Sequence, residues 1–235
     1  MLPERNSAPT KAGNYLLKVF LNDDTSKLVF TKRFLVVVDK AQVSGLVTQP
    51  YNGNLFQSHQ RVQVKVSTMA NQISTISPQD LRVVVLQNYN WASSVLMDRP
   101  TIFRGNYYEY SDDDKLTFPA GKEWRWLDLR SFRLLSDRVD SGIYNKTQAD
   151  IILKTDADRS GERYRYIPDY NGMYNIVTYE SINPFWQGDY ANIHFKYSPG
   201  SNTPYANKDV YLAGAFTGYK LSDDWKMERS EEHTS

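Results

Sequence analysis

Cysteine is absent from the 235 residues, so no disulfide framework, zinc-thiolate site or thiol nucleophile can exist. Histidine is nearly as scarce. Of the three, His59 and His194 have no companion at metal-ligand spacing, and His233 lies in an uninformative C-terminal tail. Charge of one sign is missing too: 28 Lys and Arg against 27 Asp and Glu leave +1, with the basic residues scattered among acids. Without a basic surplus to neutralise phosphates, nucleic acid is excluded as a partner. No run approaches eighteen apolar residues, so no segment reads as a membrane-spanning helix. The opening MLPERNSAPTKAGNY lacks the apolar core of a signal peptide.

What the chain does contain is aromatic residues, seventeen Tyr, ten Phe and five Trp, a balance that favours strands over helices. Period-two alternation dominates. In Arg61-Val62-Gln63-Val64-Lys65-Val66-Ser67 three valines fall on one face and four polar residues on the other, as in a half-buried antiparallel strand. Further strands are expected at residues 15–21, 28–38, 42–48, 81–87, 124–129, 132–138, 149–154, 173–179, 191–197 and 209–212. Turn-forming stretches separate them: Asn22-Asp23-Asp24, residues 156–161, Asp169-Tyr170-Asn171-Gly172 and Ser198-Pro199-Gly200. No three-turn helical pattern intervenes. The expected class is all-β, built of immunoglobulin-like antiparallel β-sandwich domains.

Two stretches suggest boundaries, Val38-Asp39-Lys40-Ala41 and the polar SPGSNTPYANK at 198–208. The expected organisation is a hairpin segment over 1–39, a central sandwich over 40–206, and a short β-segment over 207–228. The closing RSEEHTS, 229–235, reads as a sequencing-adapter scar and is left out of fold reasoning.

Motifs for chemistry are sparse. Residues 156–162, DADRSGE, match the opening of an EF-hand loop, but position 12 would be Ile167 instead of a bidentate carboxylate, so a plain hairpin loop is expected. Asp112-Asp113-Asp114 reads as a solvated loop. Glu123 and Asp128 are the nearest approach to a glycosidase pair, yet residues five apart on a strand face opposite sides. No phosphate loop, nucleophile elbow or zinc motif is present, so no enzyme activity, cofactor, metal or small-molecule ligand is expected.

The informative stretch is GKEWRWLDLRS, 121–131. On a strand, Trp124, Trp126, Asp128 and Arg130 would share one face and Arg125, Leu127 and Leu129 the other. Such a strand can lie between a core and a second layer. Its Trp and Arg face can equally form a protein contact surface or a sugar-stacking platform. Both readings stay open on the residues alone.

Six stretches, GNYLLKVF (13–20) with LVFTKRFLVVV (28–38), VVVLQNYNW (83–91), AGKEWRWLDLRS (120–131), DYNGMYNI (169–176) and DVYLAGAFTGYKLSDDWKM (209–227), occur in this order. Together they resemble the type IX secretion system plug protein family, from Gly13 to Met227. The resemblance implies a non-enzymatic periplasmic protein of successive β-sandwich domains that binds the periplasmic mouth of an outer-membrane translocon barrel and keeps its pore shut. It also implies a fragment truncated at both ends, with the signal peptide and most of the first domain missing. Trp124, Trp126 and Arg130 are the candidate partner-binding residues. The alternative is a carbohydrate-binding β-sandwich module, because Gly214-Ala215-Phe216-Thr217-Gly218-Tyr219 is similar to the G-x-F-x-x-W turn of glycogen- and starch-binding domains, with Tyr219 in place of Trp.

Overall fold

The computed structural model describes residues 8–38, 40–68, 76–145, 148–184, 187–200 and 208–229. Fourteen strands occur among them. The first nine are β1 (Gly13–Leu21), β2 (Asp24–Val36), β3 (Gln42–Thr48), β4 (His59–Ser67), β5 (Val83–Val85), β6 (Val95–Met97), β7 (Ile102–Arg104), β8 (Tyr107–Tyr110) and β9 (Thr117–Pro119). The rest are β10 (Val139–Tyr144), β11 (Ala149–Leu153), β12 (Asp156–Ala157), β13 (Asn192–His194) and β14 (Tyr197–Ser198). Among the described residues helical structure is confined to single 3-10 turns at 53–55, 91–93, 215–217 and 223–225. The all-β expectation holds. Among the described residues no helix is long and apolar enough to cross a membrane.

The chain divides into two compact units: Met1–Thr48 with Arg61–Val83 and Met97–Leu116, and Gln49–Gln60 with Val84–Leu96 and Thr117–Ser235. The domain limits expected at 39/40 and 206/207 stand as a proposal. Asp39, residues 201–207 and all of the tail but Arg229 lie outside the described residues.

In the first unit β1 and β2 form a long antiparallel hairpin in which Tyr15 faces Phe34 and their rings stack at 5.3 Å. Asn22 and Asp23 make its two-residue turn, both at positive φ (50° and 57°), the conformation that matches the twist of the flanking strands. A four-strand antiparallel run follows the order β3-β4-β8-β7. Its core face carries Val64 and Val66, both buried, while Val62 is half-buried at the end of the row. Opposite them stand Tyr108 and Tyr110, fully buried, with Val64 paired to Tyr110 and Val66 to Tyr108. Each phenol satisfies its hydroxyl by donating to a backbone carbonyl, Tyr108 to Ile76 and Tyr110 to Leu81 at 2.9 Å, which lets a polar group enter an apolar core. Burial pushes the Tyr110 phenol above its ordinary pKa.

The acidic run is structural. Asp112 accepts the backbone N–H groups of Asp114 and Lys115, and Asp113 pairs with the buried guanidinium of Arg61 at 2.8 Å. The solvated loop expected there is instead a turn that neutralises a buried cation.

The second unit is centred on the sheet β10-β11-β13, with Val139, Ile151 and Leu153 buried and Leu127, Leu129, Phe132, Ala191 and Ile193 against them. Not every pairing is antiparallel. β13 runs parallel to β11, and β14 parallel to β12. Parallel neighbours need a long crossover, and residues 158–191 supply one with no helix among its described residues. Four expected strands are not ladder strands: 124–129, 132–138 and 173–179 form no sheet pairing, and 209–212 contributes one antiparallel bridge, Tyr211 to Lys226. Alternation survives at 126–130 all the same, because Leu127 and Leu129 reach the core while Trp126 and Arg130 stay exposed. Burial imposes that pattern without a strand ladder, the Tyr179 N–H to the Arg130 carbonyl being a single bond at its end.

Candidate functional site

Three stretches far apart in sequence meet in the second unit. The first is the turn at 169–172. Asn171 and Gly172 take positive φ (52° and 79°), Met173 N–H donates to the Tyr170 carbonyl at 2.9 Å, and Asp169 Oδ1 accepts the Asn171 N–H. The other oxygen of Asp169 accepts the Trp124 N–H at 2.6 Å, tying the turn to the second stretch. The third is the 3-10 turn at 215–217, closed on Gly214 by the Thr217 and Tyr219 N–H groups and by the Thr217 hydroxyl. Ala215 N–H donates to the Gly172 carbonyl at 2.9 Å, and the Tyr219 hydroxyl donates to the Asn171 carbonyl at 3.2 Å.

Gly172 sits between the rings. A Cβ there would lie 2.9 Å from Tyr219 Cε1 and 3.2 Å from Trp124 Cε2, at a φ that L side chains rarely adopt. The two rings meet edge to face at 5.6 Å, and burial raises the Tyr219 phenol pKa. Phe216 meets Trp225 edge-on at 5.4 Å. Trp91, Trp124 and Trp225 are each half-buried, only Trp126 is well exposed among the described tryptophans, and Trp186 lies outside them. The described tryptophans thus form no open row, and the two aromatics of the GAFTGY turn each pack edge-on against a tryptophan, Tyr219 on Trp124 and Phe216 on Trp225.

The stretch 124–130 separates the three candidates. Trp124 belongs to the aromatic junction. Trp126 is 44% exposed. Arg130 is exposed and its guanidinium lies 4.7 Å over the ring of Tyr179, whose N–H donates to the Arg130 carbonyl. Arg130 Nε and Nη2 also donate to both oxygens of Asp128, at 2.9 and 2.5 Å. That hydrogen bonding holds the Asp128 carboxyl below its ordinary pKa and raises the guanidinium. The result is a cation held by its Asp128 pair over one exposed phenol, so little side-chain entropy would be lost on contact.

Sequence reasoning missed Tyr179 and its neighbour Glu180. The Glu180 carboxylate accepts the Ser131 hydroxyl at 2.6 Å and the N–H groups of Phe132 and Arg133, which fixes the chain leaving the candidate surface. The partners are 47 to 49 residues apart, beyond any local signal.

The remaining candidates for chemistry are engaged in structure. Glu123 accepts the Tyr164 hydroxyl, so it and Asp128 are each held by a local partner. Asp156, first residue of the EF-hand-like stretch, takes ion pairs from Arg125 at 2.6 Å and Arg138 at 2.7 Å, and its third residue, Asp158, closes a turn on Ser160. His194 meets Asp150 at 3.2 Å, and His59 meets the Ser58 hydroxyl. Among the described residues no group of three or more His, Cys, Asp or Glu is placed to hold a metal ion.

The fold defines the class, an all-β protein built of short strands in several small sheets. Residues 1–38, which contain the β1–β2 hairpin, match the family model of the Type 9 secretion system plug protein 1st domain. The match agrees with the family resemblance carried by the six motifs. The chain is also similar to a hypothetical protein from Parabacteroides merdae whose crystal structure is known, at 26% identity and a TM-score of 0.78. That similarity covers 98% of this chain and 57% of the other. No curated protein matches.

Proposed function

We propose that the protein is a non-enzymatic plug of the type IX secretion system, which sits in the periplasm, binds the periplasmic mouth of the outer-membrane translocon barrel and keeps the pore closed. The observation that carries this reading is the match of residues 1–38 to the plug protein's first domain. The all-β fold supports it, since hydrogen-bonded sheets can obstruct a lumen by bulk alone. A stable block needs an interface on the order of 1,600 Å² in total, anchored by a few desolvated aromatic and arginine side chains. We assign that anchor to Trp126 and Arg130, with Trp124 as the support behind them.

The test is conductance of the purified translocon barrel in a planar bilayer, with and without the protein. Closure on addition is expected, and an unchanged open current with no binding in a pull-down would overturn the reading. Alanine variants then locate the contact. Trp126→Ala should weaken binding by at least about 2 kcal/mol with a nearly unchanged melt. Trp124→Ala should instead lower stability by about 2–3 kcal/mol, because a half-buried indole leaves a cavity.

A further inference from the structure

The β10-β11-β13 sheet has two edges. β13 is three residues long and carries His194 on Asp150. β10 is six residues long, VDSGIY; its irregular register and its one charge, Asp140, lie at the Val139–Ser141 end, and the Gly142–Tyr144 end carries no charge, Lys, Pro or bulge to discourage strand addition. Which of its groups face outward follows from the turn. Asn145 N–H donates to the Gln148 carbonyl at 2.9 Å, and antiparallel ladders alternate, so Ile143 and Ser141 bond to β11 while Gly142 and Tyr144 direct their N–H and C=O groups away from it. Among the described residues nothing pairs with that outer edge.

A cleft of about 490 Å³ opens beside it, lined by Phe132, Arg133, Leu135, Gly142, Tyr144 and Asn145. Phe132 braces Tyr144 edge-on at 5.3 Å. The Tyr144 hydroxyl is held by Asp189 at 3.1 Å. Arg133 lays its guanidinium 6.0 Å from the centre of the Tyr144 ring. Glu180 accepts the Arg133 backbone N–H and lies within electrostatic reach of the guanidinium, but no described carboxylate forms an ion pair with it. The cleft therefore combines apolar walls, a braced aromatic ring and a cation with unused donors.

We propose that the outer edge of β10 is a docking site for an extended segment of a partner protein. The segment adds as a strand on Gly142 and Tyr144 and lays one carboxylate side chain against Arg133 in the cleft. Main-chain hydrogen bonds supply affinity, and the cleft selects an acidic side chain at one alternate position. The site is independent of the translocon reading, since it rests on the edge and the cleft alone.

The test uses the intact protein and two labelled ten-residue probes, one alternating valine with glutamate and one alternating valine with lysine. Fluorescence anisotropy should show the acidic probe binding at least about tenfold more tightly, as one charge-assisted contact provides. Arg133→Ala, which removes no hydrogen bond among the described residues, should abolish that preference. Amide exchange at Gly142 and Tyr144 should slow at least about tenfold when the acidic probe is bound, a signature that charge attraction without strand addition does not produce. Failure of both probes to bind, equal affinities, a preference that survives Arg133→Ala, or unprotected Gly142 and Tyr144 amides would each overturn the proposal.

Discussion

Replacing Gly172 with alanine should loosen the junction of the 124, 169–172 and 214–219 stretches, and the structure separates the two causes. At φ +79° an L residue costs about 1–2 kcal/mol. The new methyl also lies 2.9 Å from Tyr219 Cε1 and 3.2 Å from Trp124 Cε2, closer than carbon atoms tolerate, and such overpacking adds about 1–3 kcal/mol. The expected loss is about 2–5 kcal/mol together. Gly218 is the matched control, because it sits in the adjoining turn at φ +60° with open space where a Cβ would go. Gly218→Ala should show the backbone cost alone, about 1–2 kcal/mol. Urea unfolding followed by tryptophan fluorescence measures both, with Trp124 as a reporter at the contact. If the two substitutions cost the same within about 0.5 kcal/mol, the ring contacts around Gly172 contribute nothing and the junction as described is wrong.

Glu180 links the second unit to pH. Its carboxyl lies below the ordinary value of 4.5, first because the Ser131 hydroxyl donates to it. The stability it contributes is therefore present above about pH 4.5 and is lost as the pH falls through the depressed value. Glu180→Gln should flatten that acid-side decline in thermal melts taken between pH 3 and 6 (on the order of one pKa range), and parallel wild-type and variant curves would refute it. Asp156→Asn leaves Arg125 and Arg138 without their shared counter-charge, and an unfolding curve should show a loss of about 2–3 kcal/mol. A loss below about 0.5 kcal/mol would mean that both ion pairs are solvent-screened. Calcium should not bind at residues 156–162, whose first carboxylate is held by two arginines, and calorimetric titration giving a Kd below about 10⁻⁴ M would overturn that.

Local sterics and solvent partition made part of this structure legible in the sequence. Alternation at 61–67 identified β4 and its buried valines, and the Gln42–Thr48 strand was expected with the bounds it has. Asn22-Asp23 and Asn171-Gly172 announced turns because few other residues accept positive φ. Family likeness could also be read, since the ordered motifs agree with the match over residues 1–38. Other features depend on which distant segments meet. Tyr107–Tyr110 is the centre of a sheet, yet YYEY has little apolar contrast until the two buried hydroxyls find carbonyls at Ile76 and Leu81. Residues 124–130 alternate like a strand but pair with none, because burial sets the period while a ladder requires a neighbour. The same holds for the surface itself. Its indole and guanidinium were visible as residue types, whereas Tyr179 beneath Arg130 and Glu180 behind Ser131 are contacts across nearly fifty residues that only chain closure brings within hydrogen-bonding range.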